Sequence, residues 1–260
     1  MTTSILDTNR AWLALATEDS RRFNLRIFRG NIDSNPPPSG ALEKEIRESK
    51  ADIVIIRLPA GMISPIHELI GTGYMPIHAD TLVYHTRQLN TPLEAKSEDS
   101  DLTTELAETA DRERIVKIAT DAFRSYRSHY HANPLLDSVA ITAGYAEWAI
   151  SFLGSQTLDR ETWVVRKRNQ IVGFATCALW NNNKSAEIVL NAIDPMYSGR
   201  GIYRHLLNQI LISYQARGFM TVRISTQIWN YTVQRAWAHV GFFITHAYDT
   251  YHINARESRS

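Results

Sequence analysis

The stretch AEIVLNAIDPMYSGRGIYRHLLNQILISYQARGF, residues 186–219, decides the fold that the sequence predicts. It opens with apolar residues typical of a strand, which Asp194-Pro195 ends because proline cannot donate to a ladder. A turn with two glycines follows, and apolar residues three and four positions apart then predict a helix. Gly218 ends this helix, where a left-handed cap residue is favoured. The order is strand, glycine turn, helix.

The turn has the composition of an anion-binding loop. Gly199 and Gly201 lack the Cβ atoms that would keep a ligand away from the backbone, and N–H groups at a helix start point at negative oxygens. Arg200 and Arg204 add positive charge. We therefore expect a phosphorylated ligand. A P-loop would need Lys-Ser or Lys-Thr, and a dinucleotide fingerprint a third glycine; neither is present.

Composition excludes several classes of protein. A net charge of +1 over 260 residues argues against nucleic acid as the partner. The single cysteine, Cys177, leaves neither a disulfide framework nor a cysteine-based zinc site. Residues 1–7 lack the basic start and apolar core of a signal peptide, and no apolar run has membrane-spanning length. We expect a cytoplasmic protein without nucleic-acid or membrane partners.

The sequence predicts two domains joined by a linker. Residues 1–89 predict a smaller β-α-β-α-β domain without a concentrated set of ionisable groups, which suits packing or homodimer formation. Residues 90–104 are polar, acidic and without periodicity, and predict a linker. Residues 105–260 form the second predicted domain, with the element order α-α-β-β-β-loop-α-β-α-β.

This order and loop resemble the GNAT acetyltransferases. Their signature is a strand ending in proline, a Q/R-x-x-G-x-G/A loop and a helix, and the chain has SGRGIY at residues 198–203. Ser198 stands where Gln or Arg is usual, and Tyr203 where Gly or Ala is usual. Asn230 opens a segment that runs to Gly241-Phe242 and resembles another family element. The resemblance implies an α/β (α+β) fold with a central mixed, mostly antiparallel sheet, beside the smaller N-terminal α/β half.

Three further stretches, DAFRSYRSHYHANPLLD, AGYAEWAISFL and RISTQIWN, resemble the bacterial TDP-fucosamine acetyltransferases. This resemblance implies an N-acetyltransferase that moves acetyl from acetyl-CoA to the amino group of a nucleotide-linked amino-deoxy sugar, by direct attack in a ternary complex. A TDP-linked amino sugar is the expected acceptor. Two alternatives stay open: a GNAT enzyme for another small amine or peptide, and a non-catalytic acyl-CoA-binding module.

The resemblance assigns coenzyme A to the loop and its neighbours. Loop amides would hold the pyrophosphate, and backbone groups late in the preceding strand would bind the pantetheine and face the thioester carbonyl. Asn230 corresponds to an asparagine that touches the pantetheine arm, and it could equally be a plain helix cap. The predicted donor-binding residues are Ala192, Ile193, Ser198, Gly199, Arg200, Gly201, Ile202, Tyr203 and Asn230.

The catalytic residues follow the family less closely. A tyrosine seven residues after the asparagine is usual, and this chain has Trp237, whose indole N–H donates a hydrogen bond but is not a usable acid. Another group, or water, would then protonate the thiolate, or no general acid acts; Trp237 would pack against the acyl pocket or in the core. Glu187 lies where several family members place a base for the amine, acting through water. Its alternative role is that of a solvated strand-edge acid.

A cluster between two predicted helices corresponds to the acceptor site of the resembling family. Aromatic faces suit a base or sugar ring, and Arg127 suits a diphosphate. His129 and His131 lack an evident third ligand, so we expect no metal. An aromatic-rich surface between helices is the alternative interpretation. The predicted acceptor-binding residues are Tyr126, Arg127, His129, Tyr130 and Trp148.

Overall fold

The computed structural model describes residues 11–93, 101–154 and 159–256, which form ten strands and seven helices. The predicted mixed α/β fold is confirmed. Residues 94–100 of the predicted linker and the N-terminal residues considered for a signal peptide lie outside the described residues. Internal contacts divide the chain into two compact units. Unit 1 comprises Met1–Thr81, His129–Asp137 and Ala247–Ser260, and unit 2 comprises Leu82–Ser128 and Ser138–His246.

Unit 1 contains a four-stranded sheet in the order β1-β2-β3-β10. Only β2 and β3 run parallel, and β3 has a partner on both sides, as its continuous apolar sequence predicts. The helix α1 was not predicted, because its sequence TEDSRRF is almost entirely polar. The elements are β1 (Ala14–Leu15), α1 (Thr17–Phe23), β2 (Ile27–Asn31), α2 (Ala41–Ser49), β3 (Ile53–Pro59), α3 (Ser64–Gly71) and the end of β10 (Phe243–Asn254).

Unit 2 contains a six-stranded sheet in the order β4-β9-β8-β7-β6-β5. Only β8 and β9 run parallel. None of the described helices is long and apolar enough to cross a membrane. The elements are β4 (Ile77–Gln88, shared with unit 1), β5 (Leu102–Leu106), α4 (Arg112–Phe123), α5 (Ser138–Ile150), β6 (Arg160–Lys167), β7 (Gln170–Trp180), β8 (Ser185–Ile193), α6 (Ile202–Ala216), β9 (Thr221–Gln227) and α7 (Tyr231–His239).

The two units do not follow the predicted division of the chain. The C-terminal residues group with the N-terminal half because β10 pairs antiparallel with β3, from Tyr248 opposite Pro59 to Asn254 opposite Ile53. In addition, β5 begins at Leu102, inside the range predicted as linker. The division into domains at residues 90–104 therefore stays a prediction.

A β-bulge in β8 changes which side of the sheet its residues face. Ile188 lies opposite Cys177 and Leu190 opposite Thr176, so that Val189 has no partner residue on β7. Ile188 consequently packs in the core with α6, whereas Leu190 packs in a different core with α4. The predicted apolar face of α6 is fully buried in the first of these cores. The strand and helix that flank the glycine loop are therefore firmly anchored.

Candidate active site

The parallel ladder between β8 and β9 ends before either strand does. Its last pair is Ile188 with Ile224, although β8 continues to Ile193 and β9 to Gln227. On its other side, β8 stays paired with β7 as far as Ile193. The last residues of β8, which include Ala192 and Ile193, thus have no strand partner on the β9 side in the described pairing. This gap offers backbone N–H and C=O groups to an extended polar ligand.

The end of β8 is held by a buried carboxylate. The Asp194 side chain accepts a hydrogen bond from the Met196 N–H at 2.9 Å and forms an ion pair with Arg114. Arg114 also donates through Nε to the carbonyl of Ile171 at 2.9 Å. The predicted break at Asp194-Pro195 is confirmed, and these contacts fix where the chain leaves the sheet.

The glycine loop has the open backbone that an anion site needs. Gly199 and Gly201 have φ values of 77° and 78°, a region that L-residues with a Cβ rarely adopt. A Cβ at Gly199 would meet nothing within 4 Å, and one at Gly201 only Arg204 Nη2 at 3.8 Å. The first bond of α6 runs from His205 N–H to the Gly201 carbonyl at 3.0 Å. The earlier N–H groups of the helix are therefore available to a ligand.

The charge beside this loop is positive and accessible. Arg200 and Arg204 are exposed, and within the described part of the chain neither forms an ion pair. The Arg200 guanidinium lies 5.5 Å from the centre of the Tyr197 ring. The loop therefore combines backbone donors with two guanidinium groups that can approach an anion.

Polar side chains collect where β9 ends. Asn230 donates through Nδ2 to Thr226 Oγ1 at 3.0 Å, and its side chain does not cap α7. The Tyr126 hydroxyl lies 3.3 Å from the same Thr226 oxygen and donates to the side chain of Gln227. Asn230 is the N-cap residue of α7, as the alternative interpretation expected, but its side-chain amide is turned toward β9 and does not bond the helix N–H groups.

Trp237 lies in the core of unit 2 and is 1% exposed. Its indole Nε1–H donates to the Tyr203 hydroxyl at 2.7 Å, and its ring lies 5.0 Å from that of His85. Burial raises the pKa of Tyr203 and lowers the pKa of His85. The structure thus brings together Trp237 and Tyr203, the residues at which the sequence departs from the family pattern in α7 and at the end of the loop.

Glu187 lies away from the free end of β8. It faces Arg223 across the β8–β9 ladder, with 2.6 Å between Arg223 Nη2 and Glu187 Oε2. Arg223 borders an open cavity of about 450 Å³ that Trp180 and Ser185 also line. Ala192 lies five positions after Glu187 on β8, roughly 16 Å along the backbone. Glu187 thus lies in the paired part of the ladder, one residue before its last pair, and its carboxylate contacts Arg223.

A row of aromatic rings connects the end of β9 with α4 and α5. Tyr126 lies at its centre, 5.4 Å from Trp229 and 5.5 Å from Phe123, measured between ring centroids. Phe123 stacks on Tyr145 at 4.4 Å, and Tyr145 lies 6.2 Å from Trp148. The two tryptophans at the ends of the row are each 39% exposed. We call these five residues the aromatic row.

The row contains two of the predicted acceptor residues, Tyr126 and Trp148, and one that the sequence interpretation missed. Trp229 lies in the stretch RISTQIWN, where no periodicity distinguishes it. Its position directly before Asn230 was the signal that could have found it. Arg127, also predicted, is exposed in unit 2.

His129 and Tyr130 belong to unit 1 and are engaged there. His129 Nδ1 lies 2.9 Å from His252 Nε2, and the Tyr130 hydroxyl donates to Asp19 Oδ1 at 2.8 Å. Burial, and then the charges of nearby arginines, lowers the pKa of His129 well below its usual value and that of His252 to about 3. The part of the chain that the structure describes contains no group of three residues able to hold a metal ion.

Comparison with known proteins places this arrangement among acetyltransferases. Residues 113–242, half of the chain, match the acetyltransferase (GNAT) family model. The spore coat polysaccharide biosynthesis protein SpsD of Bacillus subtilis is 28% identical over 149 residues, which are 56% of this chain and 48% of that protein. The chain thus spans about half the length of the curated relative it matches.

Two solved structures share the fold. A GCN5-related N-acetyltransferase from Sphaerobacter thermophilus has a TM-score of 0.62 at 14% identity, covering 92% of this chain and 75% of its own. A GCN5-related N-acetyltransferase from Kribbella flavida has a TM-score of 0.57 at 12% identity, covering 87% of this chain and 80% of its own. The region that matches the family model includes the gap, the glycine loop and α7. This chain belongs to the acetyltransferase (GNAT) family.

Proposed function

We propose that this protein transfers acetyl from acetyl-CoA to the amino group of a nucleotide-linked amino-deoxy sugar, by direct attack in a ternary complex. The observation that carries the proposal is the gap between β8 and β9, which leads directly into the glycine loop at the start of α6. The GNAT family uses acetyl-CoA as its acyl donor, so family membership supports the donor. The acceptor is argued from the aromatic row.

The donor fits the residues that line the gap and the loop. The pyrophosphate would lie on the N–H groups of residues 198–203, where the absent Cβ atoms leave room and Arg200 and Arg204 supply charge. The pantetheine arm, which contains amides, would bond those backbone groups near Ala192 and Ile193 that face away from β7, in place of a strand. The Asn230 amide stands at the end of β9, where it can contact the same arm.

The acceptor is supported by the aromatic row and by a relative. Exposed tryptophan faces such as Trp148 and Trp229 suit stacking with a nucleobase or the apolar face of a sugar. The exposed guanidinium of Arg127 suits a diphosphate. The name of the Bacillus relative refers to polysaccharide biosynthesis, which favours a carbohydrate over a polyamine or peptide acceptor.

The chemistry requires little more than placement. The neutral amine attacks the thioester carbonyl carbon, and holding both substrates in reacting geometry supplies much of the acceleration. Free N–H groups late in β8 can stabilise the oxyanion that forms at the carbonyl oxygen. The amine must lose a proton and the departing sulfur must gain one. Glu187 is ion-paired with Arg223, so we assign the amine's proton to solvent water instead.

A free-thiol release assay with the purified full chain tests this function. The panel contains acetyl-CoA with TDP- and UDP-linked 3- and 4-amino-6-deoxy sugars, and also a polyamine and a peptide amine. Thiol release with a nucleotide-linked amino sugar is the expected result. Release only with the polyamine or the peptide would contradict the acceptor. Acetyl-CoA binding without release for any amine would favour an acyl-CoA-binding module.

A further inference from the structure

We propose that the open cavity beside Arg223 binds a neutral pyranose unit of a saccharide. Its volume is about 450 Å³, which lies within the range of ~300–1,000 Å³ typical of sites for small molecules. The cavity belongs to unit 2 and is separate from the aromatic row. Five polar side chains line it beside Trp180, namely Thr86, Asn183, Ser185, Thr221 and Arg223.

The cavity lies on a part of the sheet that no helix core covers. Ser185 and Thr221 form the first pair of the parallel β8–β9 ladder, and the residues that follow them, Ala186 and Val222, are buried in the core with α6. Because side chains alternate along a strand, Ser185 and Thr221 point to the opposite side of the sheet. On that side, the described core of α4 and α5 contains residues of β6, β7 and β8 but none of β4 or β9.

Trp180 supplies an apolar surface at the border of the cavity. It is the last residue of β7, and its side chain is 37% exposed. The Arg223 guanidinium lies 4.9 Å from the centre of the Trp180 ring and 5.9 Å from that of Tyr84, so that it supports the indole from the sheet. The exposed part of the ring can bury the C–H face of a pyranose.

The hydrogen-bonding groups around the ring match sugar hydroxyls. Ser185 Oγ donates to Asn183 Oδ1 at 2.6 Å, so the Ser185 oxygen keeps its lone pairs to accept from a ligand. Within the described ranges, neither Asn183 Nδ2 nor the Thr221 hydroxyl has a side-chain hydrogen bond of its own. A sugar hydroxyl both donates and accepts, so it can pair with the amide and with both hydroxyls.

The charge at the cavity favours a neutral ligand over an anion. Among the described residues that line it, Arg223 alone carries a charge, and the Glu187 carboxylate lies 2.6 Å from its Nη2. A phosphate or carboxylate would have to compete with Glu187 for this guanidinium. The lining therefore suits the hydroxyl-rich, uncharged surface of a pyranose.

The site is also separate from the proposed acetyl transfer. Ser185 is the first residue of β8, whereas Ala192 lies seven positions later, roughly 23 Å along the strand. A pyranose in this cavity therefore does not occupy the free end of β8. Binding here is measurable without acetyl-CoA and does not depend on the proposed reaction.

Nuclear magnetic resonance titration of the purified full chain tests the site. The probes are the methyl glycosides of glucose, galactose, mannose and N-acetylglucosamine, and the reporter is the Trp180 indole N–H signal, identified as the one missing from Trp180→Phe. At least one glycoside should shift this signal with saturation. Trp180→Ala should raise the Kd, followed by saturation-transfer signals of the glycoside, by about tenfold or more.

Two further variants separate the cavity from the rest of the surface. Thr221→Val keeps the shape of the side chain but removes its hydroxyl, and should raise the Kd by about threefold to tenfold. Phe243→Ala removes another exposed aromatic ring of unit 2 that does not line the cavity, and should leave the Kd unchanged. Denaturant titration checks that each variant is folded.

Three results would overturn the proposal. The first is the absence of a saturable shift with all four glycosides, and the second is a glycoside Kd that Trp180→Ala leaves unaltered. The third is a shift of the Trp180 signal by thymidine but by no glycoside, which would assign a nucleobase to the cavity. Failure of thiol release in the acetyl-transfer assay would contradict the proposed function and leave this binding result unaffected.

Discussion

At the scale of single residues, the contacts of Glu187 argue against the role of catalytic base that the sequence suggested for it. Glu187 Oε2 lies 2.6 Å from the Arg223 guanidinium, so this oxygen is engaged by Arg223 across the β8–β9 ladder. The distance along β8 also keeps it from the backbone proposed for the thioester. The spacing of residues on a strand was readable from the sequence, but the identity of the partner on β9 was not, because strand register depends on tertiary structure.

Glu187→Gln should therefore change kcat by less than about twofold, compared with the 100-fold or greater effect of a lost general base. Because Arg223 is 45% exposed, loss of the ion pair should lower the free energy of unfolding by only about 0–1 kcal/mol. Arg223→Gln is the matched control and should behave alike. A large loss of kcat at low pH in Glu187→Gln alone would restore this residue as the base.

At the scale of elements, the backbone conformation of the glycine loop and its proposed binding of a ligand can be tested separately. Gly201 precedes α6 with φ 78°, and Gly218 follows the same helix with φ 80°. A residue with a Cβ costs roughly 1–2 kcal/mol in such a left-handed conformation. A side chain would thus strain the backbone at both positions, but only Gly201 lies in the proposed pyrophosphate site.

Gly201→Val and Gly218→Val should both lower the free energy of unfolding, and only Gly201→Val should abolish acetyl-CoA binding. Denaturant titration measures the first quantity and calorimetry the second. Normal acetyl-CoA binding by Gly201→Val would remove the loop from the donor site. Loss of binding in both variants would attribute the effect to destabilisation.

Several elements were predictable and others were not, for physical reasons. The apolar periodicity of α6 and the break at Asp194 were sufficient to predict the strand, loop and helix. In the turn directly before α4, Glu108 and Asp111 form a capping box, and the sequence analysis did not predict this pair. The bulge at Val189 and the gap beyond Ile188 depend on pairing with other strands, and no local pattern reveals them.

At the scale of the whole molecule, the buried imidazoles of His129 and His252 make the stability of the fold depend on pH. His129 and His252 both have a pKa below the unfolded value of about 6.5. The unfolded chain therefore binds protons that the folded chain does not, and stability falls as pH decreases below about 6.5. Each imidazole contributes a slope of up to about 1.4 kcal/mol per pH unit.

The free energy of unfolding should accordingly decrease between pH 7 and pH 5, and His252→Gln should reduce this slope. Denaturant titration at several pH values measures it. A wild-type slope of zero over this range, or one that His252→Gln does not alter, would contradict the assignment.

The sequence predicted the donor end of the molecule better than the acceptor end. Loop, strand and helix are contiguous in the chain, whereas the aromatic row joins residues from α4, α5 and the end of β9. His129 and Tyr130, which were predicted to lie at the acceptor site, belong to unit 1, where His129 pairs with His252 across 123 positions of sequence. Such distant pairings cannot be deduced from local composition.

The central claim is acetyl transfer to a nucleotide-linked amino sugar, and one measurement tests it most directly. The purified chain is incubated with acetyl-CoA and each TDP- or UDP-linked amino-deoxy sugar, and free thiol and acetylated sugar are quantified together. We predict equal amounts of the two products with at least one of these sugars, and none in the Gly201→Val variant. Acetyl-CoA binding with no product from any of the nucleotide-linked amino sugars would contradict the account.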